Sequence, residues 1–320
     1  MNNLNIILEQ ELTNLNQVIR SDLQSQVPLI NTVGEYIIAS GGKRIRPLLA
    51  ILCGKLLGNT SPLLYKMAAM IEYIHTATLL HDDVVDESGL RRGRKTANAL
   101  FGNATSVLVG DFIYTRAFQM MVESDSLRVL QIMADSTNII SEGEVLQLLN
   151  IGRSDLTEFE YFQVIESKTA KLFEASARVA AIISQASVEQ EQYLADYAIC
   201  LGSAFQIIDD ILDYNSSAEV MGKNVGDDLL EGKVTLPLIY LLANSPSEVK
   251  DIITQAINQP EQANIEQIIQ LVKNSAALNY CQQLAQSYIV KAKAALNNFM
   301  PNQYQQTLIA IAEQSLQRIS

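Results

Sequence analysis

The 320-residue chain contains no tryptophan, and aromatic residues make up only 6% of it. Its three cysteines, Cys53, Cys200 and Cys281, lie far apart and form no Cys-x-x-Cys pair. An odd number of isolated cysteines argues against a disulfide framework and favours a reducing cytoplasm. The first residues show neither the basic segment nor the uninterrupted apolar run of a signal peptide. The sequence also has no run of about 18 apolar residues, the length that a membrane-spanning helix requires. We therefore expect a cytoplasmic protein without a membrane span.

Positive charge is scarce as well, because 23 Lys and Arg stand against 35 Asp and Glu, giving a net charge of −12. This balance argues against nucleic acid as a partner, since a phosphate backbone requires basic surface. Seven of the 23 basic residues nevertheless fall within the short stretches 43–46 and 91–95. Cations concentrated in this way on an acidic protein predict that it binds a small anion locally.

Residues that favour helices are abundant. Hydrophobic residues make up 48% of the chain, helical periodicity prevails, and no run shows the alternation typical of a strand. Capping and break signals predict helices over about 62–86, 96–122, 127–149, 157–184 and 187–213. A polar loop with three glycines is expected over 215–232. Since no linker or long repeat interrupts the chain, we predict one all-α domain spanning residues 1–320.

The pattern Asp-Asp-x-x-Asp occurs twice. Its members are Asp82, Asp83 and Asp86 in the first copy and Asp209, Asp210 and Asp213 in the second. Residues four apart share a helix face, and two carboxylates held that close are costly to desolvate unless a cation lies between them. Oxygen ligands suit a hard divalent ion, and Mg²⁺ binds through one or two carboxylates plus substrate phosphates. The motifs thus predict more than one Mg²⁺ ion carrying a phosphorylated substrate.

Both motifs are predicted at the carboxyl end of a helix, with three predicted helices between them. If consecutive helices alternate in direction, both motifs reach the same end of the bundle, where they can face each other across a cavity. The helix dipole disfavours negative charge at this end, which favours bound cations. Two exposed acidic helix turns are the alternative.

Further motifs follow one another along the chain. They are Gly41-Gly42-Lys43-Arg44-Ile45-Arg46-Pro47, His75 before the first aspartates, Arg91-Arg92-Gly93, Lys168-Thr169, Phe205-Gln206 before the second aspartates, and Gly222-Lys223 to Gly232-Lys233. With these motifs the chain resembles the trans-type polyprenyl diphosphate synthases, and within that family the bacterial octaprenyl diphosphate synthases. The resemblance implies an all-helical fold around a deep central cavity, a homodimer, and Mg²⁺-dependent condensation of isopentenyl diphosphate with an allylic diphosphate such as farnesyl diphosphate.

The resemblance also implies roles for individual residues. Those that match the isopentenyl diphosphate site are Lys43, Arg46, His75 and Arg92. Those that match the surroundings of the allylic diphosphate are Arg91, Lys168, Thr169, Gln206, Lys223 and Lys233. The metal-binding carboxylates are Asp82, Asp86 and Asp209, with Asp83, Asp210 and Asp213 nearby. The expected catalytic residues are Asp82, Asp86, Asp209, Lys168 and Arg91. An ordinary surface or core role is the alternative for each of the basic residues, and also for His75 and for Gln206. His81 is expected to be structural.

Product length should depend on how far an apolar tunnel extends. Ala77 and Thr78, five and four positions before Asp82, are small, whereas short-chain enzymes of the resembling family tend to carry aromatic residues there. Candidates for a deeper floor are Met120, Met121 and Met133, because methionine fills irregular apolar space. Ordinary core packing is the alternative role for these methionines. The small residues predict a long product, with seven, eight or nine isoprene units left open by the sequence. The resemblance implies octaprenyl diphosphate, which supplies a quinone side chain.

Three alternatives remain at this stage. A short- or medium-chain synthase differs only in tunnel depth. A class I terpene cyclase also ionises diphosphates, but it typically carries an Asn/Asp-x-x-Ser/Thr-x-x-x-Glu second motif and does not need the basic stretch at 43–46. A non-catalytic regulatory subunit is expected to lose aspartates or arginines from these motifs, and none is missing here. No membrane span is expected, while a peripheral membrane contact for product release stays open.

Overall fold

The computed structural model describes residues 2–215 and 226–317. Its α-helices, in chain order, are α1 (Asn2–Asp22), α2 (Pro28–Ala39), α3 (Ile45–Leu56), α4 (Pro62–Val85), α5 (Ala97–Phe101), α6 (Asn103–Val122), α7 (Leu127–Leu149), α8 (Glu158–Ile165), α9 (Lys171–Ile183), α10 (Val188–Asn215), α11 (Asp227–Leu230), α12 (Leu236–Asn244), α13 (Ser247–Asn258), α14 (Ile265–Lys273), α15 (Ala277–Leu296) and α16 (Gln303–Leu316). The prediction of an all-α fold is confirmed.

The chain divides into two compact units. Unit 1 comprises Met1–Ser136, Leu172–Ala198 and Leu296–Ile309, and unit 2 comprises Thr137–Lys171, Ile199–Ala295 and Ala310–Ser320. In unit 1 the middle of α4 is almost wholly buried and packs against α3 and α6. In unit 2 the apolar residues of α10 and α12 form one core with those of the following helices. That the whole chain is a single domain stays a prediction.

The predicted boundaries of α4 are confirmed to within one residue. Ser61 caps its first turn by accepting a hydrogen bond from the Leu63 N–H, and Pro62 occupies the first helical position. At the other end Glu87 adopts a left-handed φ of 51°, and the Ser88 N–H donates to the Asp83 carbonyl (3.0 Å). This closure ends the helix at the first aspartate motif.

A short hairpin follows that the sequence did not predict. Strands β1 (Leu90–Arg91) and β2 (Arg94–Lys95) pair antiparallel, and the two residues between them, Arg92 and Gly93, have φ values of 54° and 72°. Positive φ at both positions is typical of the tight turns that join paired strands. Strands of two residues are too short to leave an alternating pattern in the sequence, so no strand is predicted there.

Two further segments differ from the predicted helices. The helix expected over 96–122 is interrupted at Gly102, whose φ of 85° is incompatible with helix, so that α5 and α6 are separate. The helix expected over 157–184 begins with the predicted capping box of Thr157 and Glu160, but Glu166–Ala170 is a π-helical turn between α8 and α9. In addition, the predicted polar loop over 215–232 contains the one-turn helix α11. Among the described residues, no helix is long and apolar enough to cross a membrane.

Candidate active site

The first aspartate motif closes α4 in unit 1. Asp82 and Asp86 are half-buried and one helical turn apart, and the Asp86 N–H donates to the Asp82 carbonyl (2.8 Å). Asp83 is fully buried, and its Oδ1 accepts hydrogen bonds from Nε (2.8 Å) and Nη2 (2.6 Å) of Arg91. The motif therefore presents two accessible carboxylates and uses the third to hold an arginine of the hairpin.

The hairpin is tied to the end of α2. The Tyr36 hydroxyl donates to the Lys95 carbonyl (2.6 Å), and Nη1 of Arg92 donates to the Gly41 carbonyl. A Cβ atom at Gly42 would lie 2.6 Å from the same guanidinium nitrogen, and Gly42 has a φ of 142°. Gly42 therefore leaves room for the close approach of Arg92, whereas Gly41 provides a left-handed φ of 80°.

The two arginines of the 43–46 stretch contact different residues of α4. Arg44 forms a buried ion pair with Glu72 and donates through Nη2 to the Ile38 carbonyl (2.8 Å). Nη1 of Arg46 lies 3.3 Å from Nε2 of His75, and its guanidinium stacks 4.6 Å above the ring of Phe173. Lys43, just before them, is exposed. Unit 1 thus brings Arg46 and His75 into contact.

The environment of His75 is strongly cationic. Burial lowers the pKa of His75 well below its usual range, and the guanidinium groups of Arg46, Arg92, Arg91 and Arg44 lower it further. The imidazole is therefore neutral at physiological pH, so Nε2 can accept the hydrogen bond of Arg46 and the proton resides on Nδ1. The pKa of Arg92 is also lowered, first by burial and then by Arg91 and Arg44. Cations that repel one another in this way favour the binding of an anion.

In unit 2, Lys168 and Thr169 lie in the π-helical turn. Gly143 of α7 permits this, because a Cβ there would lie 2.9 Å from the Lys168 backbone nitrogen. The Lys168 ammonium forms an ion pair with Glu144 and a 2.6 Å hydrogen bond to Gln147 Oε1. Single π-turns inside helices occur frequently at functional sites.

Thr169 and Gln206 belong to one hydrogen-bonded chain with Asp210. The Thr169 hydroxyl donates to Gln206 Oε1 (2.9 Å), and Gln206 Nε2 donates to Asp210 Oδ1 (2.9 Å). The Tyr161 hydroxyl donates to the other Asp210 oxygen (2.6 Å). Burial raises the pKa of Asp210 well above its usual range, and the Asp228 carboxylate raises it further.

These groups line one cavity of unit 2, with a volume of about 180 Å³. The predicted site residues in its wall are Lys168, Thr169, Gln206, Asp210 and Lys233. Apolar walls come from Leu156, Val164 and Ile165, while Lys233 also pairs with Glu231 (2.7 Å). The cavity therefore combines two ammonium groups with an apolar lining, as a site for an apolar anion requires.

The other predicted residues of this region are Asp209, Asp213 and Lys223. Asp209 is half-buried and Asp213 fully buried on α10. Lys223 lies outside the described residues. Five residues near the predicted site residues were not predicted from the sequence: Glu72, Tyr161, Glu144, Gln147 and Asp228. Only Glu72 carried a usable signal, because it lies three residues before His75 and so shares its helix face.

The donor set suits a metal that arrives with its ligand. Within residues 2–215 and 226–317, no group of three or more His, Cys, Asp or Glu side chains could hold a metal ion by itself. Mg²⁺ commonly takes one or two carboxylates and completes its shell with water and substrate phosphates. The half-buried pair Asp82 and Asp86 fits that use, since both carboxylates lie on one helix turn.

The predicted tunnel residues all lie in unit 1. Ala77, Met120, Met121 and Met133 are buried, and the hydroxyl of half-buried Thr78 donates to the His75 carbonyl (2.9 Å). Burial suits both a tunnel wall and an ordinary core, so their role in product length stays a prediction.

Comparison with known proteins identifies the family. A model of the polyprenyl synthetase family matches residues 27–274. Octaprenyl diphosphate synthase of Escherichia coli is 48% identical over 316 residues, which cover 98% of each chain. All-trans-nonaprenyl-diphosphate synthase of Rhodobacter capsulatus is 44% identical over 97% of this chain and 95% of its own length.

A solved structure agrees with the sequence matches. Polyprenyl synthase from Caulobacter crescentus, crystallised with calcium and isoprenyl diphosphate, superposes with a TM-score of 0.95 and 41% identity over 99% of this chain and 97% of its own. The resemblance drawn from the motifs is confirmed. The chain therefore belongs to the polyprenyl synthetase family of prenyltransferases.

Proposed function

We propose that this protein is a long-chain trans-polyprenyl diphosphate synthase that extends an allylic diphosphate with isopentenyl diphosphate up to the octaprenyl product. The observation that carries the proposal is the cavity of unit 2, where Lys168, Thr169, Gln206 and Lys233 converge beside apolar walls. Within the part of the chain that the structure describes, these four residues and Arg91 are the ones that match the allylic diphosphate site of that family. The 48% identity with an octaprenyl diphosphate synthase supports the product length.

The reaction begins when the allylic carbon–oxygen bond breaks, leaving a delocalised carbocation and a diphosphate. When bound, Mg²⁺ ions supply charge neutralisation to that leaving group. Lys168, oriented by Glu144 and Gln147, and Lys233 add fixed positive charge at the cavity. The apolar side chains of Leu156, Val164 and Ile165 keep water from the carbocation.

The second substrate is assigned to unit 1. There Arg46, Arg92 and neutral His75 surround a position suited to the diphosphate of isopentenyl diphosphate, with Lys43 at its exposed edge. The isopentenyl double bond then attacks the carbocation, and one proton leaves the product. We assign that proton to the released diphosphate, because no side chain named above is an evident base for it.

The metal belongs to the same proposal. We infer that Asp82, Asp86 and Asp209 are the carboxylates that bind the Mg²⁺ ions accompanying the allylic diphosphate. The relative crystallised with calcium and isoprenyl diphosphate supports a divalent ion in this role. Asp83 accepts hydrogen bonds from Arg91, and Asp210 accepts one from Tyr161. These hydrogen bonds favour a role for both aspartates in positioning neighbouring side chains.

We further propose a homodimer. Leu108, Phe118 and Val122 of α6 are exposed and share one helix face, opposite the buried face that packs on α4. Exposed apolar stripes of this kind mark protein–protein contacts. All three cysteines are free, which supports the proposed cytoplasmic location, and the product is proposed to supply a quinone side chain.

The test is a reaction with purified protein, farnesyl diphosphate, isopentenyl diphosphate and MgCl₂, followed by mass analysis of the extracted lipid. We expect octaprenyl diphosphate to accumulate. We also expect EDTA to abolish the reaction and added Mg²⁺ to restore it. If farnesyl diphosphate and isopentenyl diphosphate do not condense with each other, the proposal is overturned. Release of a cyclic hydrocarbon would favour a terpene cyclase instead. Light scattering of the same sample tests the dimer.

A further inference from the structure

Arg44 and Glu72 form a buried ion pair next to residues that we assign to isopentenyl diphosphate. The side chains of Arg44 and Glu72 are 9% and 6% exposed. Neither residue was assigned a role in catalysis or binding. Moreover, taking two charges out of water is costly, so a buried pair of this kind is weak evidence for stability alone.

Arg44 has a second unusual feature, its backbone. It precedes the first residue of α3 with φ 48° and ψ 36°, the left-handed conformation. For a residue with a Cβ this conformation is strained and persists only where surrounding contacts enforce it. Two contacts do so here, because the guanidinium binds both Glu72 of α4 and the Ile38 carbonyl of α2.

The left-handed turn lies between the two basic residues of the site. Lys43 comes directly before Arg44 and Arg46 two residues after it, so the backbone angles at Arg44 set the direction in which these side chains leave the chain. On α4, Glu72 and His75 are one turn apart and share a face. Glu72 holds Arg44, while His75 contacts Arg46 (3.3 Å).

Glu72 also interacts electrostatically with Arg92, a further guanidinium group near His75. Its carboxylate favours the charged form of Arg92, which Arg91 and Arg44 disfavour. Glu72 is thus a buried anion among guanidinium groups that must stay together before a diphosphate arrives. Its charge offsets their mutual repulsion in the unliganded protein.

We propose that Glu72, acting through Arg44, is a positioning residue for the isopentenyl diphosphate site. It holds the left-handed turn that aims Lys43 and Arg46 at one diphosphate. This inference rests on the proposed function, because it assumes that unit 1 binds isopentenyl diphosphate. It predicts that Glu72 affects the affinity for that substrate and leaves the affinity for the allylic substrate unchanged.

The test compares Glu72→Gln with a matched control, Glu191→Gln. Glu191 is equally buried and also pairs with arginines, Arg178 (3.0 Å) and Arg128 (2.6 Å), but none of these residues is assigned to the site. For Glu72→Gln we expect KM for isopentenyl diphosphate to rise about tenfold, with KM for farnesyl diphosphate changed less than about twofold. For Glu191→Gln both KM values should stay as in the wild type.

Arg44→Lys serves as a second variant. Lysine keeps the charge but lacks the fork that binds Glu72 and the Ile38 carbonyl together, so we expect the same selective rise in KM. If Glu72→Gln does not fold, Arg44→Lys still decides the question. Calorimetric titration of each folded variant with isopentenyl diphosphate gives a binding readout independent of turnover.

The outcomes separate this inference from the proposed function. If the wild type shows no condensation and binds no isopentenyl diphosphate, the proposed function fails. If the wild type is active but Glu72→Gln and Glu191→Gln change both KM values alike, only the positioning role fails. Unchanged affinity for isopentenyl diphosphate in both Glu72→Gln and Arg44→Lys would overturn the positioning role as well.

Discussion

The two copies of the Asp-Asp-x-x-Asp motif have the same pattern but different surroundings. In unit 1 the buried second aspartate, Asp83, accepts two hydrogen bonds from the charged guanidinium of Arg91. In unit 2 its counterpart, Asp210, accepts from two neutral donors, Tyr161 and Gln206, and lies near a further carboxylate, Asp228. The second aspartate is thus held by a cation in the first motif, whereas in the second motif it is held by neutral donors beside another carboxylate.

Replacing a first aspartate should have the largest effect on activity. Because we assign Asp82 and Asp209 to the metal ions, Asp82→Asn and Asp209→Asn should each lower kcat at least about 100-fold in the condensation assay. Asp135→Asn is the control, since Asp135 is exposed, accepts a hydrogen bond from Gln131 and is not assigned to the site. If only one of the two variants loses activity, the two motifs do not share a function.

The second aspartates should differ in their effect on stability. Asp83→Asn removes a buried charge that pairs with Arg91, so the free energy of unfolding should fall by about 2–3 kcal/mol. Asp210→Asn keeps one acceptor oxygen and removes a carboxyl group whose charged form is disfavoured by burial and by Asp228, so the fall should be below about 1 kcal/mol. Urea denaturation at neutral pH measures both. Equal losses would mean that the difference in surroundings has no energetic consequence.

The residues before the two motifs differ in size. The residue four positions before the first aspartate is Thr78 in unit 1 and Phe205 in unit 2, and Ala77 adjoins Thr78. Because we assign Ala77 and Thr78 to the product tunnel, Ala77→Phe should shorten the product, as seen by mass analysis of the lipid. Ala68→Phe is the control, since Ala68 is equally buried on the opposite face of α4. An octaprenyl product from Ala77→Phe would contradict the tunnel assignment.

The smallest effect concerns the pH dependence of stability. The folded-state pKa of His75 lies well below its unfolded value of about 6.5, so the unfolded chain binds a proton first as pH falls. The contribution of His75 to stability is therefore full above about pH 6.5 and is lost as pH falls towards the lowered pKa. Between about pH 7.5 and about pH 5.5, His75→Gln should lose less stability than the wild type in urea denaturation.

The contribution of Asp210 to stability should depend on pH in the opposite direction from that of His75. Its folded-state pKa is raised, so its contribution is full below the unfolded value of about 3.9 and is lost as pH rises. Relative to the wild type, Asp210→Asn should therefore gain stability as pH increases above about pH 4. If the free energy of unfolding changes with pH in the same direction in His75→Gln and in Asp210→Asn, relative to the wild type, the surroundings of these two groups do not control their pKa values.

Much of the fold followed from local signals. The cap at Ser61, the capping box at Thr157 and Glu160, and the helix over 127–149 were all predicted correctly. The break at Gly102 was missed because a single glycine inside a periodic pattern is often tolerated. The π-turn at Lys168 was missed because one extra residue barely changes the periodicity, and its accommodation depends on Gly143 of another helix.

The helical class, the carboxylate pairs and the two clusters of basic residues could all be predicted from the amino-acid sequence. They depend on spacing within a turn or two of helix, which neighbouring residues set locally. The partner of each side chain depends instead on the packing of distant segments, which brings Arg44 to Glu72 and Arg46 to His75. Residues 28 positions apart meet only because packed helices bring them together, and no local preference of the chain encodes that contact.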